Sequence, residues 1–431
     1  MQITAQERVL VNVLNDSRYQ FLFFSLLLYL LCVYEYEHFV FSKYEYMGFR
    51  NSFTFIKAVL AFFLFTSSCF LVFVKTSPFI KGLTALLNVV YVLPIMILFQ
   101  YDSGGWLFVI SALLLLVIIN SNFTLKLFRS AKIKENEVPI MLGVLSVFIL
   151  LPFILSYKVN LDLSIFLLDE KVYAIREAIQ DDGNLFTGYM KSPLIQVILP
   201  LLAIYGLKER KVFFTFLAIA LTILVYSMIP QKSIFLGIFV VVFFYFFKDP
   251  LRKVSVFTGL LLMLCLFGFV LTWSFDNMLI ESLILRRYLM VPALLNHYYY
   301  EFFESNYIYY SHSFLKNVFD YPYELGPTYM VAEYAYGKTT TNANNGFASD
   351  AFMNLGYVGV FIYTLIVGLI IKFFDALSID AKFFGLFFLF VNLLRSSGLA
   401  TIMLTHGLWL FMLLAYVVLR QKRQSTEQIN I

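Results

Sequence analysis

The amino-acid sequence predicts an all-α, polytopic membrane protein of about twelve transmembrane helices. Of the 431 residues, 61% are hydrophobic and only 14% are Asp, Glu, Lys or Arg, and long apolar runs recur along the whole chain. Soluble domains carry about 25% charged residues, so most of the surface of this chain must face lipid. We therefore expect one integral membrane domain over residues 1–431 and no separate soluble domain.

The apolar runs define the candidate spans, because a helix needs about 20 apolar residues to cross the hydrocarbon core. The first run has no small-residue cleavage site and is expected to be retained as a span. The eleventh and twelfth runs can instead form one hairpin broken at residues 395–398. The twelve runs, of which the sixth, eighth and eleventh are short, cover residues 20–34, 55–74, 82–100, 105–121, 138–156, 193–207, 212–229, 233–247, 254–274, 351–371, 383–394 and 399–419.

The distribution of basic residues predicts the orientation, since Lys and Arg are enriched in cytoplasmic loops. If both termini are cytoplasmic, the inner segments hold 19 of the 32 basic residues and 9 of the 27 acidic residues, a balance of +10. The outer side then keeps 13 basic and 18 acidic residues, a balance of −5. This orientation leaves three substantial outer segments, 35–54, 157–192 and 275–350, and the last is too long to be an idle connection.

The outer segment 275–350 contains eleven tyrosines between Tyr298 and Tyr336. Its first part, 277–304, has apolar residues three and four positions apart, which predicts a helix on or in the outer interface. Sugar C–H faces pack on aromatic rings, so Tyr298 and Tyr299, with Asn296 beside them, are candidate sugar-binding residues. The structural alternative is the aromatic belt that membrane proteins carry at their interfaces.

Several Arg and Lys residues lie in apolar segments, where a charge is costly, or in outer segments, where an anion can bind. Arg286 and Arg287 are adjacent in the predicted helix and could clamp a diphosphate, unless they only anchor lipid headgroups. Arg176 lies in the second outer segment, where an ion pair with Glu177 is the alternative. Arg395 and Lys232 lie in apolar hairpins, where charged residues are usually functional.

The segment that leads into the tenth predicted span is rich in small and polar residues, from Asn344 and Asn345 to Asp350. Such residues let a ligand approach the backbone, and a helix N-terminus favours an anion. Close helix packing through Gly356 and Gly359 is the alternative. We find no metal-ligand spacing, nucleotide loop or nucleic-acid-binding motif, and the three cysteines lie apart in apolar runs. The sequence therefore predicts no metal, no cofactor and no nucleic-acid partner.

Together these features resemble the O-antigen and capsule repeat-unit polymerase (Wzy) family, in motifs and in the number and orientation of spans. The residues that carry the resemblance are Tyr173–Glu177 with Gly188 and Tyr189, Gln231–Ser233, Arg286-Arg287-x4-Pro292-Ala293-x2-Asn296-x-Tyr298-Tyr299-x2-Phe302-Phe303, and Asn344-Asn345-Gly346 through Asp350, Gly356 and Gly359. Two departures are visible. The Arg-x10-Gly pattern of some such polymerases is not met from Arg176. The last element keeps the spacing of O-antigen ligases but has Asn344 where their His stands.

The resemblance implies glycosyl transfer at the outer leaflet of a bacterial cytoplasmic (inner) membrane. A growing glycan on a polyprenyl diphosphate is moved onto a newly flipped lipid-linked repeat unit, and the sugar–diphosphate bond supplies the energy. The implied partners are the polyprenyl-diphosphate-linked oligosaccharide and membrane lipids, and the resemblance leaves open whether a chain-length regulator binds. An O-antigen ligase, a flippase of lipid-linked oligosaccharide and a solute transporter are the alternatives.

The resemblance also assigns roles to the candidate residues. Arg286, Arg287 and Arg176 would stabilise the departing diphosphate, and His312, Glu281 and Asp350 are candidate bases for the acceptor hydroxyl. The candidate substrate-binding residues are Lys232, Asn296, Tyr298, Tyr299, Asn344, Asn345 and Arg395.

Overall fold

The computed structural model describes residues 15–101, 105–128, 133–157, 159, 185–230 and 232–421, without the side chains of residues 232–236. Within these ranges the chain forms helices, turns and loops and no β-strand, so the predicted all-α class is confirmed. Seven described helices are long and apolar enough to cross a membrane. The helices are α1 Ser17–Met47, α2 Phe55–Phe73, α3 Pro78–Gln100, α4 Trp106–Asn120, α5 Val138–Ser156, α6 Leu185–Lys208, α7 Val212–Met228, α8 Lys232–Tyr245, α9 Pro250–Phe275, α10 Glu281–Met290, α11 Val291–Phe303, α12 Pro327–Tyr336, α13 Phe347–Ala376, α14 Gly385–Ser396, α15 Leu399–Leu404 and α16 Leu408–Leu419.

Each of the twelve predicted runs overlaps one of these helices, but two boundaries differ substantially. The first helix does not stop at residue 34: it continues as a π-helix, Tyr36–Phe41, because Tyr36 and Val40 extend its buried face while the charged positions between them stay exposed. The twelfth run is two helices, α15 and α16. They are separated at Gly407, whose positive φ of 83° and close approach to Pro193 suit only a residue without a side chain.

The chain forms two compact units, and the first comprises Met1–Thr124, Asp249–Lys372 and Val391–Leu399. Its centre is α3, whose most apolar stretch is wholly buried because every face of that helix carries apolar side chains. The polar Asn88 in α3 is satisfied there, since its amide donates to the carbonyl oxygen of Ser68 at 3.0 Å and its oxygen accepts from Ser68 Oγ at 2.6 Å. Helices α1 and α9 pack side by side, with Ser255 Oγ donating to the Ser17 carbonyl at their first turns.

The second unit comprises Leu125–Lys248, Phe373–Phe390 and Ala400–Ile431. Helices α6 and α7 form a tight hairpin in which Gly206 lies against Thr215, and Thr215 Oγ1 donates to the Ala203 carbonyl at 3.1 Å. The loop of this hairpin is fixed by an ion pair of 2.6 Å between Lys208 and Glu135. The unit is therefore built on aromatic and small-residue packing with its polar contacts at the helix ends.

Candidate functional site

Helix α10 carries the two adjacent arginines that the sequence singled out. It is a π-helix, in which each backbone hydrogen bond spans one residue more than in an α-helix; such helices are frequent at functional sites. Arg286 is buried, with 7% of its surface exposed, whereas Arg287 is exposed. Neighbouring residues on a helix do not face each other. The predicted clamp, with both guanidiniums pointing at one diphosphate, is therefore not the arrangement in this structure.

Arg286 is held against the end of α1. Its guanidinium carbon lies 4.2 Å from the ring centroid of Tyr44, Nη2 donates to Ser282 Oγ at 2.7 Å, and Nη1 contacts Met47 Sδ at 3.2 Å. Its Nε has no hydrogen-bond partner, and no carboxylate in the described ranges forms an ion pair with it. Burial lowers the pKa of Arg286 from the usual arginine value, and the nearby charge of Arg287 acts in the same direction. The site thus retains a buried cation without a counter-charge.

Arg395, on α14, packs against α10 at Tyr288, the residue after Arg287. Its guanidinium carbon lies 4.5 Å from the ring centroid of Tyr288, and Nη1 donates to the Val90 carbonyl at 2.9 Å. The Tyr288 hydroxyl in turn donates to Asn392 Oδ1 at 3.1 Å, which fixes the ring under the guanidinium. Arg395 is 5% exposed and forms no ion pair in the part of the chain that the structure describes. In the part of the chain that the structure describes, Arg286 and Arg287 on α10 and Arg395 against it therefore have no carboxylate partner.

A carboxylate that the sequence analysis missed lies on the next helix. Glu301 Oε1 accepts from Arg50 Nη2 at 2.9 Å and lies 3.1 Å from His297 Nε2. The neighbouring His297, and after it Arg50, lower the pKa of Glu301 to about 2, against the opposing effect of burial. The i, i+4 spacing of His297 and Glu301 was the available sequence signal. Glu301 is consequently ionised at neutral pH and lies, partly exposed, next to Arg50.

The two tyrosines predicted to bind sugar are buried, and other tyrosines near them have exposed rings. Tyr298 is 6% exposed, and its hydroxyl donates to the Met47 carbonyl at 2.9 Å. Tyr299 is fully buried, and its hydroxyl donates to the Ala343 carbonyl at 2.8 Å. Tyr46 and Tyr334 are 75% and 52% exposed instead, and the Tyr334 ring packs edge-on against Tyr298. Tyr298 and Tyr299 are therefore packing residues, and Tyr46 and Tyr334 are the tyrosines whose rings are exposed.

Asn296 is also buried, at 3% exposure, and its Oδ1 has no hydrogen-bond partner in the described ranges. It lies on α11 between Arg287 and Glu301 in sequence. The predicted role of Asn296 in contacting sugar does not fit this burial. We use the name arginine–tyrosine surface for the exposed Arg287 of α10 together with the exposed or partly exposed residues Arg50, Tyr46, Glu301 and Tyr334.

The polar segment before α13 serves packing. Asp350 is buried; its Oδ1 accepts from Asn345 Nδ2 at 3.2 Å and its Oδ2 accepts from the Leu399 amide at 3.1 Å. A Cβ on Gly346 would stand 3.0 Å from the Arg395 carbonyl oxygen, so only glycine permits this approach. Each carboxylate oxygen of Asp350 accepts a hydrogen bond within the protein, and its role as a base stays a prediction. Asn344 is exposed and Asn345 orients Asp350.

The remaining predicted residues are dispersed. His312 is exposed, with its ring 5.9 Å from that of Tyr321, and no described contact joins it to α10. Glu281 begins α10 but is 2% exposed, so its carboxyl cannot reach an acceptor in this conformation. Lys232 begins α8, but its side chain lies outside the described residues, as does all of Arg176. In the described ranges no three His, Cys, Asp or Glu residues gather as metal ligands.

Comparison with known proteins adds no relative: no protein-family model, no curated protein and no solved structure matches the chain. The long apolar helices are those of a membrane-embedded protein. The functional argument therefore rests on the fold and on the arginine–tyrosine surface.

Proposed function

We propose that the chain is a membrane glycosyltransferase that polymerises polyprenyl-diphosphate-linked repeat units into O-antigen or capsular polysaccharide at the outer leaflet of a bacterial inner membrane. The observation that carries the proposal is the set of three guanidiniums around α10, Arg286, Arg287 and Arg395, which have no carboxylate partner in the described ranges. A charge kept unpaired in a largely apolar setting is costly and usually functional. A diphosphate is the ligand that such a set fits best.

The proposal includes twelve spans with both termini cytoplasmic. Contacts within each unit support this orientation, because segments assigned to the same side meet. Arg50 of the outer segment 35–54 contacts Glu301 of the outer segment 275–350. At the opposite side, Lys372 Nζ donates to the Ser121 carbonyl at 2.6 Å in the first unit, and Lys208 pairs with Glu135 in the second.

The orientation has a direct test, because the three native cysteines are buried and leave a low background. A cysteine at the exposed Lys338 should react with an impermeant thiol reagent in cells with a permeabilised outer membrane, and one at the exposed Lys382 should not. Labelling at Lys382 alone would reverse the orientation.

In the proposed reaction, the acceptor hydroxyl oxygen attacks the anomeric carbon of the donor glycan. The bond from that carbon to the diphosphate oxygen breaks, and the diphosphate leaves on the polyprenyl chain with the bonding electrons. Arg287 contacts the leaving group, while Arg286 and Arg395 add positive potential from fixed positions behind it. The acceptor proton passes to a base, and among the predicted bases His312 is the exposed one.

In this proposal, the other residues of the arginine–tyrosine surface bind the acceptor sugar. Tyr46 and Tyr334 offer ring faces to sugar C–H groups, and Glu301 offers an ionised carboxylate to sugar hydroxyls. Lys232, Asn344 and Arg176 stay proposed contacts of the substrate, and a chain-length regulator stays a proposed partner.

The proposal is tested with purified protein in lipid vesicles that contain polyprenyl-diphosphate-linked repeat units. We expect a ladder of elongated glycans without added nucleotide and in the presence of EDTA, since side-chain cations neutralise the leaving group. A strict requirement for Mg²⁺ or Mn²⁺ would contradict the arginine-based account. Transfer only to a lipid A core acceptor, without elongation, would identify a ligase instead.

A further inference from the structure

A second unusual feature of the first unit is a junction of three helices that encloses two carboxyl groups. Helices α1 and α9 run in the same direction from the contact of Ser255 with Ser17, and further along them the side chain of Cys32 contacts that of Cys265. One turn beyond these cysteines, α1 carries Glu35 and α9 carries Gly268.

Gly268 makes room for the start of α10. A Cβ at this position would lie 2.8 Å from Ile280 Cγ2 and 3.3 Å from the carboxyl carbon of Glu281, so a larger residue would force the two apart. The Glu281 carboxyl thus occupies the notch that Gly268 leaves in α9, on the side where Glu35 lies. The absence of a side chain at residue 268 is what allows the two carboxyl groups to share one enclosed space.

The two carboxyl groups have no partner that could stabilise two negative charges. Glu35 is 0% and Glu281 is 2% exposed, and none of their four oxygens has a hydrogen-bond partner in the described ranges. The titratable groups that face Glu35 are the thiols of Cys32 and Cys265 and the Glu281 carboxyl, and in the described ranges no Lys, Arg or His forms a hydrogen bond or an ion pair with it. Arg286, further along α10, is not such a partner, because the titratable groups that face its guanidinium are Arg287, Tyr44 and Tyr46.

Elementary electrostatics restricts the charge of such a pair. An isolated buried carboxylate costs several kcal/mol even after relaxation, and two like charges in one enclosed space repel each other in addition. A protonated carboxyl avoids both penalties, whereas a carboxylate would need a cation or several donors, which the surrounding described side chains do not supply.

We propose that Glu35 and Glu281 form a proton-binding site that holds at least one proton at neutral pH and thereby keeps the start of α10 packed against α1 and α9. The inference does not rest on the proposed glycosyl transfer. It gives the Glu281 carboxyl a place in this buried pair instead of the predicted role as a base. It also links protonation to the helix that carries Arg286 and Arg287, because loss of the proton puts repelling charges under the first turn of that helix.

Infrared spectroscopy of the full-length protein in lipid tests the site directly. We expect the carbonyl stretch of a protonated carboxylic acid at neutral pH in the unaltered protein, and its loss in the double variant Glu35→Gln/Glu281→Gln. The exposed Glu324→Gln is the matched control and should leave the band unchanged. A spectrum of the unaltered protein without that band would overturn the proposal, whether or not the variants fold.

Thermal unfolding provides the second readout. The folded protein holds a proton that the unfolded chain releases, so its stability should fall as pH rises above about 4.3, the pKa of a glutamate in the unfolded chain. The double glutamine variant, whose amides resemble protonated carboxyls in shape, should lose this part of the pH dependence. Equal pH profiles for both proteins would contradict the proposal. So would a melting temperature that depends on Na⁺ in place of choline at constant pH, since that result would indicate a sodium site.

Discussion

Helix α10 and the segment that leads into α13 both contain polar residues in apolar surroundings, but the two regions differ in how the charged groups are paired. Before α13, the carboxylate of Asp350 accepts hydrogen bonds from Asn345 and from the Leu399 amide, so each of its oxygens is already hydrogen-bonded within the protein. Around α10, Arg286 and Arg395 are buried, and their contacts among the described residues are with rings, a sulfur, a hydroxyl and a carbonyl, not with a carboxylate. On sequence alone, both regions are candidate functional sites. The unpaired charge is what separates them.

The largest expected effect is on activity, at Arg395. In the described ranges this guanidinium has no ion pair and donates one hydrogen bond, to the Val90 carbonyl, so Arg395→Met should lower the free energy of unfolding by about 1 kcal/mol. Elongation should fall on the order of 10²-fold, since a fixed donor near a developing diphosphate charge is removed. Glycan ladders and thermal unfolding, measured on the same preparation, check both parts. Normal ladders would assign Arg395 to packing alone.

Asp350 should show the opposite result. Asp350→Ala leaves the Leu399 amide and the Asn345 side chain without their acceptor, at a cost of about 1–3 kcal/mol in the free energy of unfolding. The exposed Asn344→Ala is the matched control and should stay within about 0.5 kcal/mol. Unfolding of both variants, followed by fluorescence in detergent, makes the comparison. An Asp350 variant of normal stability but without activity would support the predicted catalytic role.

The smallest effect concerns Glu301 and its pH dependence. The pKa of Glu301 is lowered in the folded protein to about 2, so its pairing with Arg50 and His297 stabilises the fold above the unfolded value of about 4.3. That contribution disappears as pH falls through about 2. Because Arg50 is partly exposed, Glu301→Gln should cost at most about 1 kcal/mol at neutral pH. Melting curves between about pH 2 and pH 7 should converge at the acidic end; parallel curves would contradict the assignment.

The helices were predictable because apolar runs of the right length leave few alternatives in a chain of this composition. Their ends were less so: the charged residues around Glu37 suggested that the first span stops, yet the buried face of Tyr36 and Val40 carries the helix on. The segregation of basic residues predicts sides for the loops, and this orientation stays a prediction; the contact of Arg50 with Glu301 shows that segments 35–54 and 275–350 meet.

The candidate site was predictable in position and not in detail. Residue type and spacing identified α10, but adjacent positions on a helix point in different directions, so Arg286 and Arg287 could not form one clamp. Tyr298 and Tyr299 were indistinguishable in sequence from Tyr334, because burial depends on which helix packs over each ring. Glu35 and Glu281 are far apart in the chain, and only the notch at Gly268 brings their carboxyl groups together.

The most direct test of the account is the elongation activity of variants at Arg287, the exposed guanidinium of α10. Arg287→Ala should lower the rate of elongation on the order of 10²-fold without loss of protein from the membrane, and Arg287→Lys should restore part of it because a point charge lacks the planar fork. The exposed Arg252→Ala, at the opposite end of α9, should elongate normally. Full-length ladders at the normal rate from Arg287→Ala would contradict the claim that α10 binds the departing diphosphate.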